Sequence, residues 1–227
     1  MSTADPLLAT SVARIHFGYD CDQIYSGDVS SPTRWAGVPL TDRRAERRAL
    51  LIDAAFRLFG DGGEAAVAVR SVCRECGFNT RYFYESFTGT DDLLGAVYDE
   101  VNALLAAEVA AAIEAAGDGV AARSRAGIAA VLGFSSADPR RGRILFTDAR
   151  ANPILAARRA ATQDVLLEAV LSEGGRLHPG SDPVAARVGA AMYTGAMAEL
   201  AQQWLAGNLG DDLDAVVDHA LALVLGR

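Results

Sequence analysis

Val69-Arg70-Ser71-Val72-Cys73-Arg74-Glu75-Cys76-Gly77-Phe78-Asn79-Thr80-Arg81-Tyr82-Phe83-Tyr84-Glu85-Ser86-Phe87 reads as two short helices with a sharp corner between them. Val69 to Cys76 is helical in pattern, and Gly77 supplies the left-handed residue that commonly ends a helix. Asn79 is a good N-cap, so a second helix is predicted over Thr80 to Ser86. Phe83 and Phe87 stand four apart and turn inward together, which leaves Thr80, Arg81, Tyr82, Tyr84 and Glu85 facing out. This is the layout of a helix-turn-helix, whose second helix lies in the major groove of DNA. An arginine near the start of such a helix pairs bidentately with guanine, and tyrosines reach phosphates or thymine methyls.

Both flanks continue in helices. Upstream, Ala45, Ala49, Ile52, Phe56 and Phe59 form one apolar stripe, predicting a helix from about Asp42 to Phe59 that Gly60, Gly62 and Gly63 stop. Downstream, Thr90 or Asp91 caps a long helix reaching toward Ala116, with Leu94, Val97, Val101 and Leu104 as its inner face. Asp138-Pro139, Asn152-Pro153 and Asp182-Pro183 each set a capping Asx before a proline at the first helical position. With stops at Gly174-Gly175 and Gly207-Asn208, they predict helices near 120–133, 139–150, 153–173, 183–206 and 212–225. No segment reads as a strand, so the fold expected is all-α with about nine helices. Residues 1–40 lack helical or strand period and read as an extended or weakly ordered arm. The domains expected are thus the arm at 1–40, a helix-turn-helix head at 41–90 and a helical body at 91–227.

Composition agrees. The 227 residues include 44 Ala and 7 Pro, a balance that favours helix. All 21 basic residues are Arg, and the net charge of −8 means that an anionic partner must be met by a local basic patch. The asymmetry is modest but runs the right way: residues 42–90 carry a net +1 while residues 91–227 carry −7. That polarity suits a DNA reader whose body is repelled by the duplex. Arg43, Arg44, Arg47 and Arg48 crowd the mouth of the first helix, where they meet phosphates or a minor groove, or pair with Asp42 and Glu46 as a solvated face.

Other chemistries find little support. His16, His178 and His219 are scattered, and the chain has no G-x-S-x-G elbow, Walker loop or G-x-G-x-x-G fingerprint. An enzyme, a metal site or a bound cofactor is therefore not expected. Cys73 and Cys76 form a C-x-x-C without a second ligand pair; small core residues are the favoured reading, and a thiol sensor, together with Cys21, is the other. No basic segment followed by an apolar one opens the chain, and no apolar run approaches the length of a membrane span, so a cytoplasmic protein is expected.

Arg48 to Tyr98 resemble the DNA-binding domain of the tetracycline-repressor (TetR) family of transcriptional regulators. The residues that carry the likeness are Ile52-Asp53-Ala54-Ala55-Phe56-Arg57-Leu58-Phe59, Val69 to Phe78, Tyr84-Glu85-Ser86-Phe87 and Leu93-Leu94-Gly95-Ala96-Val97. The resemblance implies phosphate contacts for Arg70 and Tyr84, a major-groove position for Thr80, Arg81 and Tyr82, and a core position for Phe87. Ala68 stands where the family usually has Thr, and Thr90 where it has Lys, each removing a phosphate contact.

The last two helices are candidates for a homodimer interface through Ala186, Ala190, Met197, Leu200 and Trp204, which combine small residues with anchors. In the TetR resemblance they build a four-helix bundle that sets two recognition helices about one DNA turn apart. The resemblance also implies an effector pocket in the body, for which Phe134, Phe146, Thr147, Met192 and Tyr193 are candidate lining residues. The function expected is a dimeric repressor of a palindromic operator, released by an apolar or amphipathic small molecule. The alternatives are a helical ligand-binding or structural dimer that does not read DNA, and a cysteine-based redox sensor.

Overall fold

Short polar side chains begin most of the helices. In the computed structural model, the Asn79 carboxamide oxygen accepts the Arg81 N–H at 3.0 Å and the Asp138 carboxylate accepts the Arg140 N–H at 3.1 Å. Asn152 Oδ1 accepts from both Ile154 and Leu155, at 2.8 and 3.1 Å. Asp182 and Asp212 cap in the same way onto Ala185 and Ala215. Each bond satisfies a donor that the first helical turn otherwise leaves orphaned.

The structure describes residues 40–147, 152–177, 180 and 182–226. Of the arm expected at 1–40, residues 1–39, with Cys21 and His16, lie outside the described residues, as does His178, while Leu40 already belongs to the first helix. The helices are α1 (Leu40–Gly62), α2 (Val69–Glu75), α3 (Thr80–Tyr84), α4 (Thr90–Ala115), α5 (Val120–Ala137), α6 (Pro139–Gly142), α7 (Pro153–Leu177), α8 (Pro183–Leu205) and α9 (Leu213–Val224). A short 3-10 turn, Glu64–Ala66, precedes α2, and a π-helical turn, Arg143–Thr147, follows α6. The fold is all-α, with nine α-helices and no strand among the described residues. None of these helices is long and apolar enough to cross a membrane.

Residues 44–227 form one compact unit built on two apolar clusters. The first joins Leu51, Ile52 and Phe59 of α1, Val72 of α2, Phe83 of α3 and Leu93, Leu94 and Val97 of α4 to Phe134, Ile144 and Leu155 further along the chain. The second gathers Ile128 and Leu132 of α5, Met197 and Ala201 of α8 and Val217 of α9. Polar ties reinforce the first cluster where the end of α1 meets later elements. The Arg143 guanidinium donates to the Gly60 carbonyl at 2.7 Å, and the Asn152 amide donates to the Glu64 carboxylate at 2.7 Å. A Cβ on Gly60 would collide with the Arg140 side chain, so glycine there lets α6 approach α1.

Several local expectations are corrected. The inner face of α1 is Leu51, Ile52, Ala54, Ala55 and Phe59, while Ala45 and Ala49 are exposed. Leu104 is also exposed, because α4 buries only its first three turns, through Val101. The α4 N-cap is Gly89, with no side-chain bond of its own; instead Asp92 accepts the Thr88 N–H at 2.9 Å. Gly174-Gly175 does not end α7, which runs on to Leu177. Each glycine costs a helix about 1 kcal/mol, too little to stop one that is otherwise well formed. The helix near 139–150 is α6 followed by the π-turn over the described part of that range.

Candidate nucleic-acid interface

Gly77 has φ +68°, the left-handed conformation that turns the chain between α2 and α3 at no steric cost. Phe78 closes the corner by donating its N–H to the Cys73 carbonyl at 2.8 Å. The five-residue α3 is held down by Phe83, its only buried side chain, with the Phe87 ring tilted against it at 5.8 Å just beyond its end. With Phe83 facing inward, Thr80, Arg81, Tyr82 and Tyr84 are all exposed, as the four-residue spacing predicts. Arg81 is 83% exposed and Tyr84 62%, so both are free to meet a partner. Arg70, the second residue of α2, is exposed as well.

The arginines of α1 do not behave as one solvated row. Arg44 donates through Nη2 to the backbone carbonyl of Glu85, and Arg47 Nη2 lies 3.5 Å from the Glu85 carboxylate. Arg47 is 17% exposed and stacks its guanidinium 4.7 Å over the Tyr82 ring, while Arg48 covers Phe87 at 4.9 Å. Arg43 lies on the same helix. The partner that sequence reasoning left out is Glu85. Its i,i+4 relation to Arg81 is visible in the sequence, but its bridge to Arg44 and Arg47, some forty residues away, is tertiary.

Cys73 is buried in the first apolar cluster and Cys76 packs against it. Burial raises both thiols, Cys76 to about 11, and the Cys76 Sγ donates to the Leu50 carbonyl at 3.3 Å. Thiolate is scarce at neutral pH under those conditions, the reverse of a redox-active cysteine.

In the body, the candidate pocket residues are only partly brought together. Phe134 is buried beneath the Arg141 guanidinium, 4.7 Å away. Phe146 packs against both apolar clusters and Tyr193 against the second, where burial raises the Tyr193 phenol. Thr147 is exposed and Met192 is 70% exposed. Of the candidate interface residues, Ala190 and Met197 are buried within the chain itself. Leu200 and Trp204 pack on the second cluster, where the indole N–H donates to the Ser136 hydroxyl at 2.6 Å; Ala186 is half-buried. The face of α8 that stays open is Val184, Val188 and Met192.

Comparison with known proteins places this geometry. Residues 51–97 match the family model for bacterial regulatory proteins of the tetR family. No curated protein matches the chain in sequence. Among solved structures, the putative transcriptional regulator from Pseudomonas aeruginosa PAO1 superposes with a TM-score of 0.69 at 18% identity, over 87% of this chain and 95% of that one. The fatty acid degradation regulator FadR from Bacillus halodurans gives 0.66 at 19% identity, over 79% and 95%. The transcriptional regulator FadR from Bacillus subtilis in complex with stearoyl-CoA gives 0.63 at 18% identity, over 78% and 96%. At these identities the structural likeness shows a shared fold, and the family match is confined to the head, residues 51–97. Residues 51–97 thus carry a domain of the tetR family of bacterial regulatory proteins, and the chain as a whole shares its fold with regulators of that kind.

Proposed function

We propose that the protein is a ligand-responsive repressor that binds a palindromic operator as a homodimer and lets go when an apolar or amphipathic small molecule binds its body. The observation that carries the reading is α3 itself: buried Phe83 on one side, and Thr80, Arg81, Tyr82 and Tyr84 exposed together on the other. In this reading 41–90 is the head that meets DNA and 91–227 the body that senses and dimerises. Arg43, Arg44, Arg70 and Tyr84 serve the sugar-phosphate backbone, Arg81 reads a base edge, and Arg47, held on Tyr82 and Glu85, supports that face from within.

Dimerisation is supported by the open face of α8. Val184, Val188 and Met192 recur at four-residue steps and are 70%, 53% and 70% exposed, an apolar stripe that water solvates poorly. A second copy covering this stripe explains it better than the buried Ala190 and Met197 do. The effector class is supported by the similar Bacillus subtilis regulator, whose structure contains stearoyl-CoA. For release, the effector must bind the conformation with spread heads more tightly than the one that fits DNA, since only differential affinity shifts such an equilibrium.

Two results test the proposal. Arg81→Ala is expected to lose about 1–3 kcal/mol at one base position and to relax preference there. An unchanged base preference in binding to randomised duplexes would remove Arg81 from the reading surface. Stearoyl-CoA added to the protein–operator complex is expected to lower operator affinity about 5–150-fold, the usual range for allosteric coupling. Unchanged DNA binding at saturating stearoyl-CoA, measured by fluorescence anisotropy, excludes long-chain acyl-CoA as the effector.

A further inference from the structure

We infer that Glu85 is a specificity-determining positioning residue, whose carboxylate aims Arg81 at one base and suppresses binding to DNA at large. The inference rests on the proposed role of α3 as the recognition helix. Glu85 follows α3 directly as its C-cap, and three arginines converge on it. Arg81 Nε lies 3.1 Å from its Oε1 and Arg47 Nη2 lies 3.5 Å from its Oε2, while Arg44 donates to its carbonyl.

The choice of nitrogen matters. A guanidinium reads guanine through two donors side by side, and Arg81 engages Glu85 through Nε. That bond does not use its two terminal amino groups. Arg81 is 83% exposed, so without this bond its long side chain would sample many rotamers, and each would have to be frozen on binding. Glu85 removes part of that loss before DNA arrives, which is preorganisation.

The same carboxylate works against indiscriminate binding. It partly neutralises Arg47 and Arg81, and it places a negative charge, 34% exposed, beside the exposed face of α3 proposed to meet DNA. An unpaired Arg81 would be a stronger but less selective phosphate ligand. Specificity is a difference between affinities, and a repulsive group that taxes every sequence while helping one widens that difference. Arg47, stacked on Tyr82 and 17% exposed, completes the support: it ties α1 to both Tyr82 and Glu85, so the aim of Arg81 is fixed relative to the head.

The test uses the full-length chain and a pool of randomised duplexes, with affinity for the selected sequence and for the unselected pool measured across salt. Glu85→Gln is expected to bind the unselected pool several-fold more tightly. The ratio of selected to unselected affinity should fall about tenfold, with preference relaxed at the same base position that Arg81→Ala relaxes. In the Arg81→Ala background, Glu85→Gln should add no further loss at that position, a comparison that holds even if each single variant is somewhat less stable. An unchanged ratio in Glu85→Gln, with the natural chain still selecting a sequence, overturns this inference alone. A loss spread evenly over all positions also overturns it, since a merely structural role would act that way. If the natural chain selects nothing, the recognition-helix reading and this inference fall together.

Discussion

Phe83→Ala is expected to lower the stability of the protein by about 3–5 kcal/mol and to abolish sequence-selective DNA binding. Phe83 is fully buried, and it is the only buried residue of the five in α3. Its ring meets Phe87 at 5.8 Å and Tyr84 edge-on at 5.3 Å, and its cluster runs through α1, α2 and α4. So short a helix has almost no stability of its own, and it exists because it is packed. Removing the ring leaves a cavity beneath the surface that presents Arg81 and Tyr82. Urea denaturation of the variant and of the natural chain measures the loss directly. A change under 1 kcal/mol would mean that α3 is held by something other than its phenylalanine.

The second large effect belongs to the body. Leu132→Ala, at a fully buried site on α5, is expected to cost about 2–5 kcal/mol, because it opens the cluster that joins α5 to α8 and α9. The two variants probe different clusters of one unit. Phe134, Ile144 and Leu155 lie in the same cluster as Phe59 and Phe83, so the head has no core of its own to melt separately. Both losses should therefore be read in a single cooperative transition whose midpoint moves. Two well-separated transitions in either variant would contradict the shared core.

Much of this was legible in the sequence because local chemistry decides it. Asn79, Asp138, Asn152 and Asp182 cap helices where capping chemistry puts them, and Gly77 turns where only a left-handed residue turns cheaply. The four-residue step from Phe83 to Phe87 was enough to divide α3 into an inner and an outer face. What the sequence hides is tertiary. Leu104 has the right spacing for a core position, yet the elements that cover Leu94 and Val97 do not reach it. Ala190 and Met197 have the character expected of an interface, a small residue and an anchor, and those same properties suit the packing they enter within the chain. The spacing turns Glu85 outward, but nothing local announces that Arg44 and Arg47 will fold back onto it.

The central claim is that this chain reads DNA through the exposed face of α3. The measurement that bears on it most directly is selection of duplexes by the natural chain from a randomised pool, followed by a salt titration of the enriched sequence. Enrichment of an inverted repeat, with affinity falling steeply as salt rises and base preference lost at one position in Arg81→Ala, is the predicted result. No enrichment at low salt, from protein shown to be folded, would contradict it.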